Sequence, residues 1–295
     1  MASLKEVRSR ITSINSTQQI TKAMKMVAAA KLRRAQDGIL QMRPYAQKLS
    51  EMLSTVSAGA ELAAESPYSQ GGAANRILII AITADRGLCG AFNSNVVKAT
   101  LTLIAEQYNS QNRQGHVDIL AIGKKGAEAF VRRGLKVNTS YVDTLAGLSF
   151  ANARSVAEHV MDTFVAGQYD RVEIVYNEFK NVATQVIQVE QFLPIVSATT
   201  HSARPVSNVD YIFEPTEEAI ISELIPKTLK IQLYKALLES NASFFGAQMT
   251  AMDKATENAG ELLKELRLVY NRTRQAAITT EILEIVGGAE ALANA

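Results

Sequence analysis

The sequence holds a single cysteine, Cys89, in 295 residues. That excludes an internal disulfide and points to a reducing compartment. Its three histidines, His116, His159 and His201, stand far apart, so no metal-ligand spacing emerges and no metal is expected. Net charge is only +2, too little for the chain as a whole to hold nucleic acid by charge. No apolar run approaches the roughly 18 residues that a bilayer span needs. Membrane association is therefore expected only through a partner. The opening MASLKEVRSRITSINS lacks the apolar core of a secretory signal and enters helical periodicity directly. What is present is a globular composition, 47% hydrophobic and 20% charged, long enough for one large or two ordinary domains.

Residues 3–57 read as one long helix. Leu4, Val7, Ile11, Ile14, Met24, Leu32, Ile39, Met42, Leu49, Leu53 and Val56 fall on a seam whose spacing alternates between three and four. Ser3 and Glu6 form a candidate capping box, and Pro44 is expected to bend the helix. A linker follows at 58–75. Residues 76–195 change character: β-rich runs at 76–82, 117–122, 171–177 and 184–193 alternate with helical patterns near 92–112, 124–133 and 151–166. This α/β pattern predicts a mostly parallel sheet covered on both faces. Asn177 to Val182 reads as a hairpin turn into the last strand. A second linker spans 196–216.

From 217 to 295 the helical pattern resumes, with a seam that includes Ile221, Leu224, Ile231, Leu238, Phe245, Met249, Met252, Leu263, Leu266 and Tyr270 and runs on to Thr280. About 70 helical residues rise roughly 100 Å, deeper than an ordinary domain, so part of this rod is expected to protrude. If the two long helices pair, they run antiparallel as a left-handed coiled coil, with the C-terminal one projecting further. Residues 1–48 carry ten Lys or Arg against Glu6 and Asp37, a local charge of +8. A solvated basic face and an acidic partner both fit. Tyr45 is the only aromatic residue there, which weighs against base stacking.

The stretch TADRGLCGAFN (83–93) follows the first predicted strand and has the look of an active site. Its grammar fails each test. No Gly-Lys-Ser/Thr completes a phosphate loop, and the glycines do not space as Gly-x-Gly-x-x-Gly. Cys89 has no sequence-marked base and reads as a small packed residue. Asp85 and Arg86 could be an ion pair or a docking contact. Gly123-Lys124-Lys125-Gly126 is weak evidence for a phosphate site and reads as a strand-to-helix turn. MKMVAAAKLRRA (24–35) combines an alanine face with adaptable Met24 and Met26 and with Lys31, Arg33 and Arg34, a composition suited to contact with another surface. Two classes remain open on these grounds: a nucleotide-binding α/β enzyme with helical arms and a coiled-coil adaptor.

Five stretches in order, EVRSRITSINSTQQITKAMKMVAAAKLRRAQ (6–36), TADRGLCGAFNSN (83–95), YIFEP (211–215), MTAMDKATENA (249–259) and YNRTRQAAITTEILEIVGGAEAL (270–292), resemble the gamma subunits of F-type rotary ATP synthases across essentially the whole chain. The resemblance implies a Rossmann-like foot and an antiparallel helical shaft that carries torque between a membrane c ring and a catalytic ring of alpha and beta subunits. Catalysis would lie in the beta subunits, with no cofactor held here, and the epsilon subunit would join the foot. By position, Arg274, Gln275 and Thr279 would meet the beta ring near a catch loop. Met24, Lys25, Lys31, Arg33 and Arg34 would lie beside an acidic lever, and Asp85 and Arg86 at a collar between rotor and stator. Tyr211 and Glu214 would face c-ring loops, and the last turns to about Leu292 would sit in an apolar bearing. The missing transit peptide suggests a bacterial protein, peripheral on the cytoplasmic face of the inner membrane. One departure stands out. The family usually has polar or charged residues at Phe244 and Phe245 and Arg at Gln248. Phe245 falls on the seam and is expected against the N-terminal helix; the pattern gives Phe244 no place. No regulatory cysteine insert of the chloroplast kind is present, so thiol control is not expected.

Overall fold

The computed structural model describes residues 3–59, 66–69, 74–195 and 217–293. Its elements are α1 (Leu4–Gly59), β1 (Ile77–Ile82), α2 (Phe92–Gln107), α3 (Asn109–Arg113), β2 (Val117–Ile122), α4 (Lys124–Val131), β3 (Lys136–Asn138), a 3-10 turn (Val142–Leu145), α5 (Phe150–Val165), β4 (Arg171–Phe179), β5 (Gln185–Leu193) and α6 (Glu217–Ala293). Two compact units result. One comprises the parts of α1 up to Ala28 and of α6 from Met249; the other runs from Ala29 to Gln248.

The larger unit is built on a five-stranded sheet in the order β3-β2-β1-β4-β5. The first four strands in space are parallel, and β5 returns antiparallel to β4. β1 reads ILIIAI because both its faces are covered, and all six residues are buried. One face (Leu78, Ile80, Ile82, Val172, Ile174) packs against Val156, Val160 and Phe164 of α5 and against Ile225, Leu229, Leu233 and Leu237 of α6. The other (Ile77, Ile79, Val117, Ile119) packs against Val96, Val97 and Ile104 of α2 and Phe130 of α4.

Three details differ from the sequence reading. β4 runs through Asn177 to Phe179, so the hairpin turn falls later, where Asn181 Oδ1 accepts from Ala183 N at 3.0 Å and Thr184 N at 2.7 Å. Asn177 stays in the strand opposite Ile187 of β5, and Ser243 of α6 donates to its carbonyl at 3.1 Å. β3 has only three residues and little burial to mark it. The start of α6 carries a second apolar stripe, which the heptad count passed over because it serves the sheet rather than the seam.

In the larger unit α1 and α6 are antiparallel neighbours. Leu238 lies 3.7 Å from the Cβ position of Gly38, and Arg43 grips Glu239. The guanidinium donates to Glu239 Oε1 from Nε at 2.9 Å and from Nη2 at 2.8 Å, and Nη2 also donates to the Phe179 carbonyl at 3.1 Å. Phe179 N–H completes the carboxylate's shell at 3.0 Å. One buried carboxylate thus ties both long helices to the end of β4.

The smaller unit is an antiparallel pair on the expected seam. Val7, Thr21 and Ala28 are buried, and so are Met252, Ala259 and Leu263. Thr256 donates to Thr21 Oγ1 at 2.8 Å, and Lys25 pairs with Asp253. At the start of α1, Ser3 Oγ accepts from Glu6 N–H at 3.2 Å, but Glu6 turns to Arg10 instead of closing the capping box.

Candidate contact surfaces

The spatial order 3-2-1-4-5 places a topological switch point at the carboxyl ends of β1 and β4, where doubly wound sheets bind ligands. Thr83–Asn93 leaves β1 at that point. Its first residues consume the N–H groups of α4 that an anion would need. Gly126 N–H donates to Thr83 Oγ1 at 2.9 Å, Lys125 N–H to the Ala84 carbonyl at 3.1 Å and Lys124 N–H to Asp85 Oδ1 at 3.2 Å. The approach is close enough to require glycine: a Cβ on Gly123, at φ +97, would lie 2.0 Å from the Thr83 carbonyl oxygen. The Gly123–Gly126 turn therefore serves as a seat for the loop and has no donors left for a phosphate.

The crevice itself is filled. Ala84, Cys89 and Phe92 form a buried cluster on which Phe244 and Ala247 of α6 rest. Phe244 meets Phe92 edge-on at 5.8 Å between centroids, and Phe245, at 5.1 Å from Phe244, lies beneath the Lys31 ammonium at 5.5 Å. Phe245 lies on the seam as the heptad count has it, and Phe244 is the residue that reaches the loop. Cys89 is 3% exposed and burial pushes its thiol up. Its sulfur receives the Asn93 amide at 3.4 Å, which is no base. Neither a thiolate nucleophile nor a phosphate loop is assembled. Among the described residues no His, Cys, Asp and Glu cluster could hold a metal.

The sequence-predicted contact residues are placed unevenly. Asp85 is engaged as a cap on α4 and is not paired with Arg86, whose side chain is exposed. Asn93 fixes the loop's base, accepting from Ala84 N–H at 2.8 Å and donating to the Arg86 carbonyl at 3.3 Å. Sequence reasoning missed the loop's apex. Leu88 sits at φ 61 and is 63% exposed, an apolar side chain held outward in a conformation that non-glycine residues avoid. Its only signal was a bulky residue among glycines.

In the smaller unit Met24 is half-buried on the seam, whereas Ile20, Met26 and Val27 are the exposed apolar residues of that stretch. Lys25 is engaged with Asp253, both partly exposed. In the larger unit Lys31, Arg33 and Arg34 are exposed. The seam runs out near Thr273, because the start of α1 comes opposite it in the register set by Thr21 and Thr256. From Arg274 to Glu290 every side chain is exposed, including Gln275 and Thr279, so the later seam positions Ala277 and Thr280 face no partner helix among the described residues. Ile278, Ile282, Leu283, Ile285 and Val286 of this end lie open. Tyr211 and Glu214 lie outside the described residues.

A family model described as ATP synthase matches residues 3–292. The ATP synthase gamma chain of Cytophaga hutchinsonii is 60% identical over 298 residues, covering 100% of each chain. A chain in the central stalk/c-ring structure of Tetrahymena thermophila mitochondrial ATP synthase aligns with TM-score 0.57 and 28% identity, over 80% of this chain and 99% of that one. A chain of the Euglena gracilis mitochondrial ATP synthase OSCP/F1/c-ring structure shares the fold, with TM-score 0.66 at 21% identity over 98% and 94% of the two chains.

Proposed function

The chain belongs to the ATP synthase gamma-chain family, and on that premise we propose that it is the central rotor stalk of a proton- or sodium-driven ATP synthase. It transmits torque between a membrane c ring and a catalytic ring of alpha and beta subunits, with the epsilon subunit on its foot. It performs no catalysis itself. Support for that comes from the switch point, which is filled by Phe244, and from α4, whose N–H groups are spent on the loop.

The observation that carries the reading is the bare end of α6. Five large apolar side chains between Ile278 and Val286 stand exposed on a helix that meets no partner there among the described residues. A run of that kind marks a surface made to be surrounded. Arg274, Gln275 and Thr279 lie at its start and are assigned to the beta ring, with the turns beyond them in an apolar bearing. Exposed Met26 and Val27 join Met24, Lys25, Lys31, Arg33 and Arg34 beside an acidic lever of the beta subunit. Lys25 can exchange Asp253 for such a lever at little cost, since an exposed ion pair contributes about 0–1 kcal/mol. Asp85 and Arg86 belong to the collar, and Tyr211 and Glu214 to the c-ring contact. A site on the cytoplasmic face of the bacterial inner membrane fits the bacterial relatives. No described helix is long and apolar enough to cross a membrane.

Purification of the native complex tests the reading. The chain is expected to co-elute with alpha and beta ATPase subunits and to lose ATP-driven ion pumping when deleted. Elution without those subunits, or ATP hydrolysis by the chain alone, would overturn it.

A further inference from the structure

We propose that Phe244 is a positioning residue for rotor–stator coupling: its ring, set in the switch-point crevice, holds the Thr83–Asn93 loop so that Leu88 and Arg86 meet the catalytic ring in a fixed orientation. The proposal rests on the rotor reading and adds to it a device in this chain. In a doubly wound sheet the crevice beside β1 receives a ligand. Here the occupant is a side chain of the long helix, edge-on to Phe92 at 5.8 Å and resting on Ala84 and Cys89.

Three separate contacts make the loop one body with its surroundings. Asp85 and Thr83 bind it to α4, with Lys124 N–H at 3.2 Å and Gly126 N–H at 2.9 Å. Asn93 ties the loop to itself through the Ala84 N–H and the Arg86 carbonyl. Phe244, with Ala247 beside it, links the loop to α6, and Phe245, under Lys31 at 5.5 Å, carries the link on to α1. Leu88 is then fixed at the apex with φ 61 and 63% of its surface open. A residue held outward in an unfavourable conformation does nothing for the fold that a glycine would not do better. A contact outside the chain explains it, and a loop that must deliver force needs a connection to the shaft. The aromatic ring gives that connection area and directionality at small entropic cost.

The test uses the whole membrane-reconstituted complex with subunit content checked against wild type. The readout is ions pumped per ATP hydrolysed, for Phe244→Ala, Phe244→Tyr, Leu88→Ala and the double variant F244A/L88A. F244A and L88A are each expected to lower the ratio about threefold, F244Y to restore it, and the double variant to fall no lower than L88A alone, since one acts through the other. An unchanged ratio in F244A, or losses that multiply to about ninefold in the double variant, would overturn the proposal. Should F244A fail to assemble, Phe244→Leu carries the test with the same two outcomes. A complex from which even the wild-type chain is absent defeats the rotor reading instead, so the two failures are told apart.

Discussion

Consider the substitution Arg43→Met. The Glu239 side chain is 1% exposed and that of Arg43 is 40% exposed, so the carboxylate, not the guanidinium, depends on the pair. Methionine keeps much of the aliphatic stem and removes the charge. Glu239 would keep only the Phe179 N–H at 3.0 Å among the partners described above. A buried charge left without its partner costs about 3–5 kcal/mol. Glu239→Gln is different. The amide oxygen, in the Oε1 position, can still accept from Arg43, the amide NH2 gives up the Phe179 N–H bond, and the guanidinium reaches water, so the loss is about 1.5–3 kcal/mol, that of a charge-assisted hydrogen bond. The double variant R43M/E239Q contains no buried charge and is expected to be more stable than R43M alone. Denaturant unfolding of the full-length chain measures all three, and thermal unfolding should show R43M lowered by roughly 6–20 °C, at about 2–4 °C per kcal/mol for a unit of this size. A loss under about 1 kcal/mol for R43M, or a double variant no better than R43M, would refute the buried-carboxylate argument.

Gly123→Ala places a Cβ 2.0 Å from the Thr83 carbonyl at φ +97 and is expected to destabilise the fold by more than about 2 kcal/mol, measured by urea unfolding. Burial raises the Cys89 thiol, so less thiolate is present at a given alkaline pH. Alkylation by iodoacetamide at about pH 8 should run at least about tenfold slower in the native chain than in the unfolded one, and equal rates would contradict the packing described. Arg274→Ala and Gln275→Ala, both exposed, are expected to leave the unfolding midpoint within about 0.5 kcal/mol of wild type while lowering ATP-driven pumping in the assembled complex. Unchanged pumping in both would remove these residues from the ring contact.

Much of the fold was legible because its signals are local. ILIIAI can only be a strand covered on both sides, and the seam of α1 is buried or half-buried at every position from Leu4 to Leu49. The errors arise where a residue answers to a distant partner. Asn177 reads as a turn until β5 pairs Ile187 against it and Ser243 of α6 donates to its carbonyl. Ile225, Leu229 and Leu233 look surplus to the seam until the sheet claims them. The seam's end near Thr273 is set by where α1 begins, which no local pattern in α6 encodes. At the switch point the motif grammar correctly rejected a phosphate loop. What fills the space could not be read, since Phe244 lies about 150 residues from the loop it touches.

The interactions divide by strength in a way that suits a shaft. In the larger unit the helices are fastened by a carboxylate that is almost wholly buried and by a second apolar stripe against the sheet. In the smaller unit the cross-helix polar contacts include a long Gln18 amide bond to the Thr256 carbonyl at 3.4 Å, a threonine pair at 2.8 Å and an ion pair with both members partly exposed. Contacts of the second kind contribute little and exchange readily with water or with another partner. A rotor must remake its external contacts at every step, and any one that bound strongly in a single orientation would hold the shaft there. The part that bears the foot has no such requirement and is better locked. Phe244 sits with the locked set, inside the larger unit, while Leu88, the residue it steadies, is exposed. On this argument Phe244 gains from tight packing and Leu88 from weak adhesion. Stiffening the first should improve coupling, whereas making the second more adhesive, as in Leu88→Trp, should slow rotation without loss of assembly.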